Sequence, residues 1–570
     1  MEDKARRGRW KWAALLLVTA LIVSMPLFSA HHIIQGWDIL FHLGRIEGIK
    51  EGLLSGQFPV RINSVQLGGY GMPSGIFYPG LPFYPPALLR IIGVPLAACW
   101  KAYMIGCNLL TVFAAWWAFS VFLRSWKTGA VAALFYEIFL YRLFELYLAS
   151  AASSIFAMAF FPAALAAVWA TLRRAPGYWP TAVIFSTLVL SSHVLTSIFL
   201  VISTGILLAC SIPRLRIPAV RQAVGWSVAF IFLLNIWFYA PLLYFHRHME
   251  YPLKEVTQQD VHYWQIFPMA DLDFYMGVAM LFLIGILAIA MLLRRRQEPG
   301  DAKVFFLLSG VSLVMIWAMS EPAVWHMIGK PAGILQFPLR LSVFPAMFLS
   351  MAAAIGLKCK HYGRMTVLCL AICLANNFLW LRGYENHAFP LRMRSEQGFS
   401  MNRLPTEEFM ARLDFSGYED YMDKDALESI RRSHGELQDY GAKKRARLGA
   451  RGLHPADRVI SFERNGTDVV MRYAAGQEGW VQLPVFWYDG YVAEDDAGAR
   501  CSLKKDDDAQ VSVWLPPAAG TVHAWYRGLP WFCVTDALSL ISGMIFIAMG
   551  YRGRRRSSLM PPGASERSAS

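Results

Sequence analysis

The sequence predicts a polytopic α-helical membrane protein of about twelve crossings, with an extracytoplasmic α+β, β-rich C-terminal domain and a final transmembrane helix. Three observations predict it. Of 570 residues, 56% are hydrophobic and only 16% charged, with a mean hydropathy of +0.37, too apolar for a soluble chain of this length. Apolar runs near the length of a bilayer crossing recur along the chain. Basic residues gather in every second loop between them, as the cytoplasmic side of a membrane protein requires.

The first apolar run, 11–30, follows Lys4, Arg6, Arg7, Arg9 and Lys11. It is longer than a signal-peptide core and more spans follow it, so it reads as a retained anchor with its N-terminus inside. Further spans fall near 100–123, 128–149, 152–171, 179–191, 194–211, 224–245, 272–293, 303–320, 340–357, 364–382 and 529–551. The stretch 178–210 is too long for one upright helix, and the polar break SSHVLTS divides it. With that division Arg124/Lys127, Arg173/Arg174, Arg214/Arg216/Arg221, the Arg294-Arg295-Arg296 run, Lys358/Lys360/Arg364 and the tail arginines Arg552 and Arg554 to Arg556 all fall inside. The organisation expected is a membrane domain over 1–382 with a large first outer loop, 31–99, then an outer domain over 383–528, a last helix over 529–551 and a basic cytoplasmic tail over 552–570.

These inner loops account for the formal charge of +14, and no nucleic-acid partner is implied. Eight cysteines without a CxxC pair suggest neither a disulfide framework nor a zinc site. On the outer side, GGYGMPSGIFYPGLPFYPP makes the first loop rich in Gly, Pro and Tyr, and it is expected to lie along the membrane interface. The segment 383–528 starts with helical charge patterning over 405–440. From about 457 it turns strand-like: RVISFER, DVVMRYA, WVQLPVFWY, VSVWLPP and TVHAWYRG. Asn465-Gly466-Thr467 reads as a turn. Trp487, Tyr488 and Tyr491 either stack on sugar rings or, more simply, pack the core of the β module.

Chemistry concentrates in GWDILFHLGRIEGIK, residues 36–50, where Asp38, His42 and Arg45 stand at i, i+4 and i+7 and so share a helix face. A carboxylate beside a bilayer is costly and marks a functional candidate; the plainer reading is that Asp38 caps the helix beginning at Ile39. Arg45 either pairs with Asp38 or binds a phosphate. Arg61 in FPVRIN, and Gln336 with Arg340 in LQFPLRLS, are further outer polar groups, with interfacial snorkelling as the alternative for each arginine. His193 tips an apolar hairpin, as a site residue or as a helix-terminal hydrogen-bonding group. Arg142 and Glu145 in YRLFELY read as an internal ion pair. Lys254, Asp260, His262 and Tyr263 lie in a loop that would close over a site. There is no P-loop, no GxGxxG after a strand and no HExxH. Group transfer outside would draw on a donor made inside and carried across, such as a lipid-linked sugar.

The series WDILFHLGRIEGIKEGLLSGQFPVRI and GGYGMPSGIFYPGLPFYPPALL, followed in order by LYRLFELY, LSSHVLTS, NIWFYAPLL, LQFPLRLS, LPVFWYDGYVA and WLPPAAGTVHAWYRG, resembles the bacterial YfhO-like membrane proteins, which belong with the GT-C type glycosyltransferases. The resemblance implies a GT-C-like fold in the bacterial plasma membrane. It implies hexosyl transfer from a polyprenyl-phosphate donor to an envelope polymer or glycolipid on the outer face. Asp38 holds the position of the acidic catalytic base. Arg340, Arg61 or Arg45 would hold the donor phosphate, with His42, His193 and Gln336 in the same substrate site. Some enzymes of this type use a divalent metal and others do not; no second outer acid stands out as a ligand. One departure is plain: the family pattern carries an Arg and then a Glu after YRLFELY, where this chain has Ala149 and Ser154. Two readings compete. A transporter or flippase of a lipid-linked glycan is opposed by the lack of an internal repeat and by polar residues that crowd one side instead of the midplane. A non-catalytic envelope assembly factor is favoured by the missing Arg and Glu and by the large outer domain.

Overall fold

The computed structural model describes residues 2–28, 32–34, 36–256, 278–359, 361–386, 403–405, 421–428 and 458–559. Among them, seven helices are long and apolar enough to cross a membrane: α4 (Leu96–Leu123), α7 (Ala152–Arg173), α10 (Pro218–His248), α12 (Pro299–Ser320), Pro338–Gly356, Tyr362–Leu379 and Pro530–Tyr551. The last three contain α13 (Val343–Gly356), the first part of α14 (Tyr362–Asn386) and most of α15 (Pro530–Leu559). Shorter apolar helices are α9 (Val194–Ala209) and α11 (Val278–Arg294). The remaining helices used below are α1 (Glu2–Val23), α2 (Ile39–Leu54), α3 (Tyr84–Ile91), α5 (Trp126–Glu137), α6 (Leu140–Phe144) and α8 (Trp179–Leu190).

Small residues decide which helices sit inside. α7 reads ASSIFAMAFFPAALAAVWATLR, and its alanines let α4, α8 and α9 approach closely; it is the most enclosed of the seven. By contrast, α10, α14 and α15 leave large apolar side chains exposed, among them Phe232, Leu243, Leu368, Ile372, Leu540 and Ile547. Apolar faces of that extent mark contact with lipid. SSHVLTS does break its stretch: α8 stops at Leu190 and α9 begins at Val194. The run 128–149, expected as one span, is not one helix. α5 ends at Glu137, Phe139 is extended, and the chain passes through α6 into a π-turn over Glu145–Ala149. A buried polar pair described below sits at that interruption.

The C-terminal region is a two-sheet sandwich, antiparallel throughout. Its strands are β3 (Val459–Asn465), β4 (Asp468–Tyr473), β5 (Gly479–Phe486), β6 (Tyr491–Asp495), β7 (Leu503–Lys505), β8 (Gln510–Leu515) and β9 (Gly520–Tyr526). One sheet has the order β3-β4-β9-β6 and the other β5-β8-β7. Val469, Met471 and Tyr473 alternate inward from β4 to meet Val481, Leu483, Val511 and Val513. Tyr488 and Tyr491 are core, as their plainer reading had it. A short pair, β1 (His32–Ile34) with β2 (Arg403–Pro405), links the stretch just after α1 to the chain that follows α14.

The first outer loop departs from its expected place. Ile62, Tyr70, Met72, Ile76 and Phe77 belong to the same apolar cluster as the sandwich core, so this stretch is packed against the β domain, a contact the interfacial reading did not include. Phe486 donates its N–H to the Tyr70 carbonyl at 2.9 Å, and the Tyr488 hydroxyl donates to the Gly71 carbonyl at 3.2 Å. The β3–β4 hairpin turns at Gly466-Thr467, confirming the turn reading of that triplet. Gly466 has φ +62 and meets Ser55 so closely that a Cβ would fall 2.8 Å from the Ser55 Cβ. α3, with Leu88, Leu89 and Ile91 exposed, presents an apolar face of the interfacial kind expected of the loop.

Candidate functional site

α2 is docked by main-chain bonds at its start. Trp37 N–H donates to the Leu148 carbonyl at 3.0 Å, and Asp38 N–H to the Ala149 carbonyl at 2.8 Å. This closeness requires glycine at 36: a Cβ would overlap the Ser150 side chain and stand 2.9 Å from the Leu148 oxygen. Opposite, Ser150 takes a left-handed backbone (φ +53) as the π-turn ends. A π-turn beside a strained residue often marks a working site. Gly36→Ala is therefore expected to cost about 1–3 kcal/mol by overpacking. A thermal melt in detergent checks it; an unchanged melting temperature would show that the contact yields freely.

Asp38 occupies the N-cap position of α2, but its side chain makes no capping hydrogen bond. The plain structural role is thus not the one its carboxylate takes. Asp38, Arg45, Arg340 and Glu145 all act electrostatically on Tyr78, and Asp38 and Arg340 act on Glu145. Burial raises the Tyr78 phenol above its ordinary value; Asp38 adds to this, and Arg45 and Arg340 oppose it. Tyr78 is the hub where the first loop, the π-turn and the approach to α13 meet.

Arg340 stands in the 3-10 turn Pro338–Ser342 that leads into α13, half-buried, and bonds the Gln336 side-chain oxygen. Gln336 is the centre of a tight three-residue turn: φ is +59, ψ is −45, and Phe337 N–H reaches the Leu335 carbonyl at 2.6 Å. This turn is rare for a residue with a Cβ and stores strain that holds the amide against Arg340. His193 is the N-cap of α9. Its Nδ1 lies 2.8 Å from Thr196 Oγ1, and its ring centre is 5.9 Å from that of Tyr78. The structure thus gathers Asp38, His193 and Arg340 around Tyr78, with Gln336 held on Arg340.

Burial pushes the His193 imidazole down to about 3, with Arg340 and then Arg45 adding to it. The ring is neutral near pH 7. The unfolded chain, titrating near 6.5, takes the proton first, so the stability tied to the neutral ring is present above about 6.5 and lost as pH falls from there towards 3. His193→Asn keeps a capping side chain and removes this loss, whose slope is at most about 1.4 kcal/mol per pH unit. Melts at pH 7.5 and 5.5 are expected to separate more for the native chain than for the variant. Equal separations would clear His193 of the effect.

His42 and Arg45 share the face of α2 that the spacing predicts, but that face is packed. His42 is 1% exposed, stacked on Phe83 at 5.2 Å, and neither ring nitrogen has a hydrogen-bond partner. Burial, then Arg45 and His193, hold its pKa well below the ordinary value. Arg45 donates to the Tyr78 and Pro79 carbonyls at 3.1 and 2.7 Å and to Ser153 Oγ at 3.2 Å, under the rings of Phe83 and Tyr78. Burial lowers its pKa to about 10. It staples the 78–80 turn to α2 and reaches Ser153 at the start of α7. Arg61 lies elsewhere: it pairs with Asp536 of α15 at 2.7 Å and lies 4.9 Å from the Phe532 ring centre. It ties the first loop to the last helix.

Arg142 does not pair with Glu145. Its partner is Glu137, with Nη1–Oε1 3.2 Å, and it donates to Asn108 Oδ1 at 2.7 Å and Thr111 Oγ1 at 2.9 Å. Glu145 is thereby released to the site, facing Tyr141, Ser154, Arg340 and Asp38. The spacing of Arg142 and Glu145 on a presumed single helix hid this, and Glu137, inside an apolar run, was the overlooked acid. Tyr78 went unnoticed because aromatic residues are common throughout the loop. Of the residues in 246–271, Lys254 pairs with Glu250 at 2.8 Å, and Asp260, His262 and Tyr263 fall outside the described residues. No group of three or more His, Cys, Asp or Glu is assembled to hold a metal ion among the described residues.

No protein-family model matches the chain, and no characterised protein matches its sequence. Among solved structures, the arabinofuranosyltransferase AftD from Mycobacteria aligns at 14% identity over 64% of this chain and 26% of its own, with a TM-score of 0.42. The oligosaccharyltransferase of Archaeoglobus fulgidus aligns at 12% identity over 76% of this chain and 59% of its own, TM-score 0.38. ArnT from Cupriavidus metallidurans aligns at 10% identity over 75% and 92%, TM-score 0.25. This chain spans 26% and 59% of the length of the first two. At these scores none of the likenesses decides the fold or the reaction.

Proposed function

We propose that the protein is a YfhO-like, GT-C-type membrane glycosyltransferase with about twelve crossings and both termini inside. It would move a sugar from a polyprenyl-phosphate donor to a hydroxyl of an envelope polymer or glycolipid on the outer face of a bacterial plasma membrane. The observation that carries this reading is the side chain of Asp38: it stands at a helix start without capping it, in a cluster with Tyr78, Glu145 and Arg340. In the reaction, the Asp38 carboxylate takes the proton of the acceptor hydroxyl. The freed oxygen bonds to the anomeric carbon of the donor sugar. The bond from that carbon to the phosphate oxygen breaks, and the electron pair leaves with the lipid phosphate. Arg340, oriented by Gln336, meets the negative charge on the departing phosphate.

One observation favours the assembly-factor reading. Ala149 and Ser154, where the family pattern has charges, lie in the cluster itself: the Ala149 carbonyl receives the Asp38 N–H, and Ser154 faces Glu145. The test is sugar transfer by membranes containing the protein, supplied with polyprenyl-phosphate hexose. Transfer above empty membranes supports the enzyme; no transfer with any hexose tried favours the assembly factor.

A further inference from the structure

The segment Tyr421–Glu428 belongs to the C-terminal domain in sequence but is fastened to the first outer loop and the end of α10. Met422, Ala426 and Leu427 are buried in the apolar cluster shared by the loop and the sandwich. Lys505 of β7 pairs with Asp423 at 2.9 Å and Asp425 at 2.6 Å. Lys424 N–H donates to the Glu250 carbonyl at 3.0 Å. Three kinds of anchor thus hold one short strap.

Beside these anchors stands Tyr421. Tyr421 is only partly buried, and its ring lies 6.1 Å from Phe41 at 18°, 6.0 Å from Phe77 at 24°, and 6.1 Å from Tyr78 at 90°. Its hydroxyl acts on Arg45, which is bonded to the 78–80 turn. It therefore stands one ring away from the Asp38–Glu145–Arg340 cluster. A partly exposed aromatic ring is suited to the apolar face of a sugar ring.

We infer that Tyr421 is a sugar-positioning residue: the C-terminal domain completes the site by presenting this ring to the hexose of the lipid-linked donor. The inference rests on the transferase reading above. It makes the outer domain part of the site, with the Lys505 pairs fixing the ring's direction.

Two measurements test it. In membranes showing transfer, Tyr421→Ala is expected to raise KM for the donor about threefold to tenfold, the worth of one lost ring contact, with kcat far less affected. Tyr421→Phe should stay close to the native value. An unchanged KM in the Ala variant overturns the inference and leaves the transferase reading standing. The second measurement needs no turnover. Tyr421→Cys is labelled with a maleimide, with labelling at native Cys501 as the internal reference. Slower labelling at 421 with polyprenyl-phosphate hexose, but not with polyprenyl phosphate lacking the sugar, supports the inference. Equal labelling in all conditions, or equal protection by both lipids, overturns it.

Discussion

Replacing Asp38 by Asn is expected to cut sugar transfer by about 10²–10⁴-fold, the usual contribution of a positioned general base, while leaving the fold in place. The substitution keeps the side chain's size. It also keeps the main-chain bonds on either side, from Asp38 N–H to the Ala149 carbonyl and from His42 N–H to the Asp38 carbonyl. Because the carboxylate makes no capping bond, its neutralisation removes no cap from α2, and the charge–dipole part of the loss is about 0.3–1 kcal/mol. Activity and stability should therefore separate: a large loss of transfer with a small change in melting temperature. Arg340→Lys is the companion. It keeps the charge but loses the planar fork and its bond to Gln336, so donor binding should weaken more than the bound complex slows. Glu145 is the other carboxylate in the cluster. If Glu145→Gln abolished transfer and Asp38→Asn did not, the two acids would exchange roles. If neither changed a measurable rate, the base assignment would fall.

How much of this was legible in the sequence depends on how far apart the contributing residues lie. The membrane class is written in local composition, and so is the break at SSHVLTS, because a polar run inside an apolar one is a one-dimensional signal. Five strands of the sandwich alternate over six or more residues and can be read directly. β6 alternates over only five residues, two of them acidic, and β7 has only three, so both are too short to stand out in the sequence. For the site, α2 and its shared face followed from spacing. What covers that face did not: Phe83 stacks on His42, and the Tyr78 and Pro79 carbonyls consume Arg45. Asp38, Glu145, His193 and Arg340 come from four separate parts of the chain, and no periodic pattern links them. The same holds for the glycine-rich loop. Its composition suggests an interfacial segment, whereas its glycines and tyrosines serve a contact with a domain about 400 residues later, which composition cannot encode.

Glu137→Leu is expected to destabilise the protein by about 3–5 kcal/mol, more than Arg142→Leu and more than the double replacement. The pair is completely buried, 3.2 Å apart, and neither Glu137 oxygen has a hydrogen-bond partner, so charge attraction holds it. Removing the acid leaves a guanidinium that cannot lose its proton in an apolar interior, with only Asn108, Thr111 and the Glu137 carbonyl to solvate it. Removing the base leaves a carboxyl that can escape its charge by binding a proton. Removing both leaves well-packed apolar side chains and a smaller debt at Asn108, which keeps its bond to Ser24 of the residues just after α1. The pair also sits where α5 gives way to α6, so its loss should loosen the approach to the π-turn and hence the docking of Asp38. Melting of the purified protein in detergent gives the order of the three variants, and the transfer assay shows whether the site moves with it. If Glu137→Leu melted with the native chain, the pair would be a bystander and the interruption of the helix would need another cause.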